Sequence, residues 1–176
     1  EGIDLQLKTE LKEIVSDKNG HARAVITSTG EEIPCQFVGL TAGVHPNLDL
    51  VKNTEIETNR GILINEYLET SVPDVFAIGD CAELRNPREG RRSIEAVWYT
   101  GKLMGPILAK TICGNPSPYE QSIWFNSAKF FDIEYQVHGQ VGNSPQEGEK
   151  HLYWEHEGGR KAIRIIYDAE KNHVTG

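Results

Sequence analysis

The residues best placed to do chemistry are Gly79 and Asp80, which follow the short apolar run Val75-Phe76-Ala77-Ile78. The run predicts a buried strand, and ligands of open α/β sheets bind beyond the carboxyl ends of strands. Gly79 has no Cβ, so a ligand can approach its backbone closely, and the Asp80 carboxylate can accept hydrogen bonds from a sugar-like hydroxyl. The alternative is a tight turn that carries an exposed Asp, and for an isolated Gly-Asp pair this alternative is favoured.

The pair belongs to a longer pattern over residues 70–80. Its six constrained positions, T-x-x-x-x-[VI]-[FY]-A-x-G-D, are met by Thr70, Val75, Phe76, Ala77, Gly79 and Asp80. The pattern closely resembles the second FAD motif of the pyridine nucleotide-disulfide oxidoreductase superfamily. That resemblance implies that Asp80 holds the ribityl chain of FAD and that Gly79 lets the cofactor pass close to the backbone. It also implies an enzyme that passes a hydride from NAD(P)H to flavin, and electrons on to an acceptor protein or small molecule.

The loop upstream of this pattern contains Gly43 and Pro46, two residues that interrupt regular structure. It resembles the loop that leads from the family's NAD(P)H-binding domain back to its FAD domain. By that resemblance, Gly43 and Pro46 lie near the nicotinamide.

Downstream, residues 93–113 predict the one long helix, because apolar residues recur there at helical period. Ser93 is a plausible N-cap, Glu95 suits the positive end of the helix dipole, and Gly114 begins a strong stop signal. The helix resembles the one whose N-terminus points at the flavin's pyrimidine edge. The resemblance implies that Ile94, Glu95 and Ala96 contact the cofactor, where unpaired N–H groups stabilise negative charge.

The tail from Trp124 to Gly139 is similar to the start of the C-terminal interface domain in one branch of the family. That branch contains the ferredoxin reductases, the rubredoxin reductases and the flavin subunits of nitrite reductases. Asn126 stands where that branch has Trp. The aromatic residue that would cover the flavin is therefore Trp124 or Phe125, unless both have a plain core role.

The predicted fold class is α/β, and α+β within this chain: an antiparallel meander in residues 3–42, one strand-helix unit, and a mixed β-rich C-terminal part. The resemblance divides the chain into the end of an NAD(P)H-binding domain (1–50), the C-terminal segment of the FAD-binding domain (51–115) and an incomplete interface domain (116–176). The sequence contains no G-x-G-x-x-G loop, whereas the family uses two. We therefore expect the chain to be part of a longer enzyme and inactive alone.

Composition narrows the function further. The net charge of −8 disfavours nucleic acid as a partner, and no apolar run is long enough to cross a membrane. Three widely spaced cysteines and scattered histidines predict no metal site and fit the cytoplasm. The basic cluster of residues 85–92 is either a solvated loop or a contact for a cofactor phosphate or a partner.

The sequence singles out no catalytic residue. The alternative function is a non-catalytic dimerisation or interaction module on a reductase scaffold, because interface domains of the family build homodimers.

Overall fold

The computed structural model describes residues 2–176 and divides the chain into two compact units, Glu1–Val44 and His45–Gly176. The first unit is a three-stranded antiparallel sheet with the strand order β1-β2-β3. Its strands are β1 (Leu11–Ser16), β2 (Ala22–Thr27) and β3 (Glu32–Pro34). The β1–β2 turn forms because Asp17 Oδ1 accepts hydrogen bonds from the N–H groups of Asn19 (2.8 Å) and His21 (2.9 Å), while Gly20 takes a positive φ of 83°.

The predicted meander is confirmed, but two of its limits were wrong. The alternating residues Ile3, Leu5 and Leu7 form no strand and are exposed. Alternation alone makes no strand, because a strand needs a partner for its backbone hydrogen bonds. The third strand ends at Pro34 instead of continuing to Ala42, and a proline cannot donate a hydrogen bond to the sheet.

The second unit is built on a parallel strand pair and one helix. Strand β4 (Ile62–Ile64) pairs with β5 (Ala82–Leu84), and helix α1 (Trp98–Ile112) packs beside them. A 3₁₀ turn, Gly79–Cys81, leads directly into β5. The core is formed by six buried residues, which are Ile64, Leu68, Ala82, Leu84, Met104 and Tyr119.

The strand predicted at Val75–Ile78 was wrong, because only Phe76 forms an isolated bridge, to Glu69. The chain turns sharply at Asp74, whose φ is 62°. Residues 75–77 then lie back against residues 68–70, with hydrogen bonds from Thr70 N to Val75 O (2.9 Å) and from Ala77 N to Leu68 O (3.1 Å). The paired strand of this region is β5, three residues after Gly79.

The predicted helix start was also wrong, although its end is confirmed. Helix α1 begins at Trp98 after an extended Val97, and no side chain caps it. The predicted cap, Ser93, lies five residues upstream and donates its hydroxyl to Glu83. At the other end Cys113 is the C-cap and Gly114 has a φ of 80°, as the stop signal predicts.

The rest of the second unit consists of five strands in two antiparallel sheets. They are β6 (Phe125–Phe130) with β7 (Ile133–His138), and β8 (Glu149–Glu155), β9 (Ala162–Asp168) and β10 (His173–Val174) in the order β10-β9-β8. The mixed α and β composition that the sequence predicts is confirmed. Within residues 2–176, no helix combines the length and the apolar character that crossing a membrane requires.

Candidate functional site

The Gly79-Asp80 pair lies in a tight turn packed on the first turns of α1. Gly79 has a φ of 80°, and its N–H contacts the Met104 sulfur at 3.4 Å. A Cβ added to Gly101 would lie 3.3 Å from Gly79 Cα, so helix and turn approach backbone to backbone. Nothing lies within 4 Å of a Cβ added to Gly79 itself, and Asp80 is exposed. The turn therefore presents a bare backbone and a free carboxylate to a ligand.

A second feature is a groove of about 460 Å³ that the segment before α1 lines. Ile94, Glu95 and Ala96 all lie on its wall, which Trp124 and Gly139 also line. Within residues 2–176, the N–H groups of these three wall residues donate no hydrogen bond. They are therefore donors without a partner in the described part of the chain. Their predicted place in the helix is wrong, because they precede α1 in a segment without regular structure.

Glu95 does not act as the helix-dipole partner that the sequence predicted, because it pairs with Arg91. The Arg91 Nη2 and Glu95 Oε1 atoms are 2.6 Å apart, and the two side chains are only 13% and 6% exposed. Arg91 Nη1 also donates to the Ser122 carbonyl, so one guanidinium joins the groove wall to the chain that enters β6. Burial raises the pKa of the neighbouring Tyr119, and the Glu95 carboxylate raises it further, while Arg91 partly offsets both.

Glu83, in the middle of β5, is a buried carboxylate that the sequence reasoning missed; it is only 4% exposed. Its Oε2 atom accepts hydrogen bonds from the N–H groups of Gly61 (2.8 Å) and Arg60 (2.9 Å). Its Oε1 atom accepts from Asn59 Nδ2 (3.1 Å) and from the Ser93 hydroxyl (3.1 Å). Four donors compensate for the loss of water around the charge, as a buried carboxylate requires.

These contacts also set the acidity of Glu83. Burial alone would raise its pKa, but the hydrogen bonds from Gly61, Asn59, Ser93 and Arg60 together lower the pKa below the ordinary 4.5. A carboxyl whose folded-state pKa is depressed stabilises the fold above its unfolded-state pKa. That stabilisation is lost as the pH falls through the folded-state value.

We therefore expect the advantage in unfolding free energy of the wild type over Glu83→Gln to be full at pH 6 and to shrink steadily below about pH 4.5. Urea unfolding of both proteins at pH 6, 4.5 and 3.5 measures it. Glu66→Gln is the control, because Glu66 is exposed and its side chain forms no hydrogen bond within the described residues. An advantage independent of pH would contradict the ionised state of Glu83.

The basic cluster of residues 85–92 is divided between solvent and interior. Arg85 forms a partly exposed ion pair with Glu57 (2.8 Å), whereas Arg91 is buried as described. The buried Gln121 fixes the loop, because its Oε1 accepts from the Arg88 N–H (2.7 Å) and its Nε2 donates to the Arg92 carbonyl (2.9 Å). The interpretation as a simple solvated loop was therefore wrong for Arg91.

The two candidate aromatic residues at the start of the tail have different surroundings. Trp124 lines the groove together with residues 94–97. Phe125 instead packs on Tyr99, with ring centroids 4.6 Å apart, and stacks on His138 at 5.9 Å. Only Trp124 is therefore placed to contact a ligand in the groove.

The remaining candidates are Gly43, Pro46 and Asp80. Gly43, with a φ of 103°, lies near the end of the first unit, and Pro46 lies near the start of the second. Asp80 is not on the groove wall, although Gly79 and Glu95 line one small cavity together. Among the described residues, no group of three or more His, Cys, Asp or Glu side chains could hold a metal ion.

Ser93 and Gln121 were missed together with Glu83, and all three act through contacts that are remote in sequence. A local signal existed only for Glu83, an acid that falls inside the apolar stretch Cys81-Ala82-Glu83-Leu84. An acid in an apolar run is buried only where donors converge on it, and these donors are 10 to 24 residues away.

Comparison with known proteins places this arrangement in a family. Residues 1–135 match the family described as Pyridine nucleotide-disulphide oxidoreductase. The chain is 29% identical over 164 residues to the nitrite reductase (NAD(P)H) of Bacillus subtilis (strain 168), covering 93% of this chain and 19% of that protein. It is 31% identical over 126 residues to the rubredoxin-NAD(+) reductase of Ectopseudomonas oleovorans, covering 70% of this chain and 32% of that protein.

Among solved structures, a ferredoxin reductase from Rhodopseudomonas palustris shares the fold. Its TM-score is 0.78 at 24% identity, over 92% of this chain and 38% of that one. The chain thus spans between 19% and 32% of the length of the two curated relatives. Because the family match takes in residues 1–135 of 176, the chain belongs to the pyridine nucleotide-disulphide oxidoreductase family.

Proposed function

We propose that this chain supplies one side of the FAD site of an NAD(P)H-dependent oxidoreductase. The observation that carries the proposal is the Gly79-Asp80 turn, in which an exposed carboxylate follows a glycine whose Cβ position is open, with no atom within 4 Å. The family membership and the complete T-x-x-x-x-[VI]-[FY]-A-x-G-D pattern over residues 70–80 support it. When bound, FAD would take a hydride from NAD(P)H and pass electrons to an acceptor.

The residues present fit such a cofactor. Asp80 offers carboxylate oxygens to the hydroxyls of a ribityl chain, and Gly79 allows close passage of that chain over the backbone. The free N–H groups of Ile94, Glu95 and Ala96 would donate to the polar edge of the flavin ring. Trp124, which lines the same groove, would supply an apolar surface. In this proposal the chain's residues bind and orient the flavin, and none of them is a proton donor in the reaction.

A complete site needs more than this chain. We propose that the chain acts as part of a longer flavoenzyme, because the two curated relatives are three to five times longer than the matched region. A cradle for the pyrophosphate groups of FAD and NAD(P)H is also needed, and this sequence contains no G-x-G-x-x-G loop. Within that enzyme, residues 1–50 would end the NAD(P)H-binding domain, residues 51–115 would complete the FAD domain, and residues 116–176 would begin the interface domain.

The electron acceptor is proposed only by class. The relatives are named for nitrite and for rubredoxin, a small molecule and a protein, and either class fits a reductase of this family. Gly43 and Pro46 are proposed to lie beside the nicotinamide. The homodimer and the cytoplasmic location stay predictions.

Asp80→Ala in the full-length protein is expected to weaken FAD binding roughly tenfold to a hundredfold, because a hydrogen bond to a charged group is lost. Titration of the apoprotein with FAD, followed by flavin fluorescence, measures the dissociation constant. Asp80→Asn is the matched control, since its amide oxygen still accepts, and it should lose less. The unfolding midpoint of the apoprotein should stay unchanged because Asp80 is exposed. Equal FAD affinity in wild type and Asp80→Ala would contradict the assignment.

A further inference from the structure

We propose that Glu83 is a positioning residue that holds the two parts of the FAD site, the Gly79–Cys81 turn and the segment Ile94–Ala96, in one fixed arrangement. The inference rests on the proposed function for the identity of the ligand. Its basis is geometric. The buried Glu83 carboxylate accepts hydrogen bonds from Gly61, which packs against the turn, and from Ser93, which immediately precedes Ile94.

The first connection runs through Gly61 to the turn. Glu83 Oε2 accepts the Gly61 N–H at 2.8 Å, and Gly61 is packed directly against the end of the turn. A Cβ added to Gly61 would lie 2.8 Å from the Cys81 carbonyl oxygen and 2.9 Å from Glu83 Cβ, so no side chain fits there. The carboxylate thus holds the 59–61 loop against the residue that follows Asp80.

The second connection runs through Ser93 to the groove wall. The Ser93 hydroxyl donates to Glu83 Oε1 (3.1 Å), and the Ser93 carbonyl accepts from the Leu84 N–H (2.9 Å). Ser93 is therefore attached to β5 by side chain and backbone, immediately before Ile94. The Ile94 Cδ1 atom would lie 3.2 Å from a Cβ on Gly61, so the two connections meet at that glycine.

The charge of Glu83 suits this task better than an amide would. Four donors face its two oxygens, and the Ser93 hydroxyl that donates to Glu83 also accepts from Arg60 Nη2 at 3.2 Å. In Glu83→Gln, one oxygen would be replaced by an NH₂ group that opposes two of those donors. A buried donor without an acceptor destabilises its surroundings, so either the loop at 59–61 or the segment at 93–96 must move.

The test uses the full-length protein with Glu83→Gln, Ser93→Ala and their double variant. Hydrogen–deuterium exchange is measured at saturating FAD on peptides that cover residues 79–82 and 94–97, because the N–H groups of residues 94–96 have no partner within the described residues and would be protected by the flavin. FAD affinity is measured by fluorescence titration. Thr27→Ala is the control, because it removes a buried hydroxyl from the first unit. That hydroxyl accepts a hydrogen bond from the Glu31 N–H at 3.1 Å. Ser93→Thr keeps the hydroxyl and is the conservative variant.

Glu83→Gln is expected to speed exchange in both peptides and to weaken FAD binding by about tenfold or more. Ser93→Ala should speed exchange only at 94–97. Exchange at 94–97 in the double variant should be no faster than in Glu83→Gln. Ser93→Thr keeps the hydroxyl and should therefore show wild-type exchange and wild-type FAD affinity. Thr27→Ala should also leave both quantities unchanged. If Glu83→Gln does not fold, the contrast between Ser93→Ala and Ser93→Thr still decides the second connection.

Two outcomes separate this inference from the proposed function. If the wild type binds FAD and Glu83→Gln keeps that affinity, or if exchange at 94–97 is unaffected, the positioning role is overturned and the FAD site stands. If the wild-type full-length protein contains no FAD and takes up none, the proposed function itself is overturned.

Discussion

Arg91→Ala is expected to lower the free energy of unfolding by about 3–5 kcal/mol, because it leaves the Glu95 carboxylate buried without its partner. The pair is almost fully enclosed, with side chains 13% and 6% exposed and a separation of 2.6 Å between Arg91 Nη2 and Glu95 Oε1. The variant also loses the hydrogen bond to the Ser122 carbonyl. Equilibrium unfolding in urea at neutral pH measures the change.

Arg85→Ala is the matched control, since Arg85 forms an ion pair of similar length with Glu57 at the surface. Its expected effect is at most about 1 kcal/mol. Removing both charges in Arg91→Met with Glu95→Leu should recover most of the lost stability, because no unpaired charge then stays buried. Equal losses for Arg91→Ala and Arg85→Ala would show that burial adds nothing to the Arg91–Glu95 pair.

The second large effect is expected for Ile64→Ala, which should lower the free energy of unfolding by about 2–5 kcal/mol. The side chain is 0% exposed and lies in the core with Leu68, Leu84 and Met104. The truncation removes apolar contacts and leaves a cavity beneath the strand pair that carries Glu83. Urea unfolding measures the stability change, and FAD content reports whether the site above the core is disturbed.

Ile112→Ala is the control for this truncation, because Ile112 lies in the last turn of α1 and is largely exposed. It should change stability by no more than about 0.5 kcal/mol. A loss at Ile64 no greater than that at Ile112 would contradict the position of the core beneath β4 and β5.

These two effects connect packing with the proposed chemistry. Arg91 joins the groove wall to the chain entering β6, and Ile64, the last residue of β4, packs the strand pair into the core. The exposed Asp80 can therefore be changed with little expected effect on folding, whereas the residues that hold its surroundings cannot.

Much of the local structure was predictable from the sequence. Asn19-Gly20 predicted the first hairpin and Gly114 predicted the end of α1, because glycine takes the positive φ that these turns require. The eleven-residue pattern over 70–80 led to the family, which the comparison confirmed. These signals work because they depend on backbone conformation within a few residues.

Other features were decided only by the tertiary structure. Val75–Ile78 has the composition of a strand, but β4 finds its parallel partner in Ala82–Leu84. Ser93 has the side chain of an N-cap, but Glu83 accepts its hydroxyl and α1 starts five residues later. Glu95 suits a helix dipole by position, but the buried Arg91 guanidinium offers a stronger partner.

The family, the mixed α and β composition and the turns could be predicted from the sequence, because glycine, proline and local pattern act through neighbouring residues. Strand pairing, the start of α1 and the choice of which acids are buried depend instead on how the whole chain packs. The physical reason is that a buried polar group must find donors or acceptors wherever the folded chain brings them. For Glu83 those donors come from residues 59–61 and 93, and no local pattern specifies that meeting.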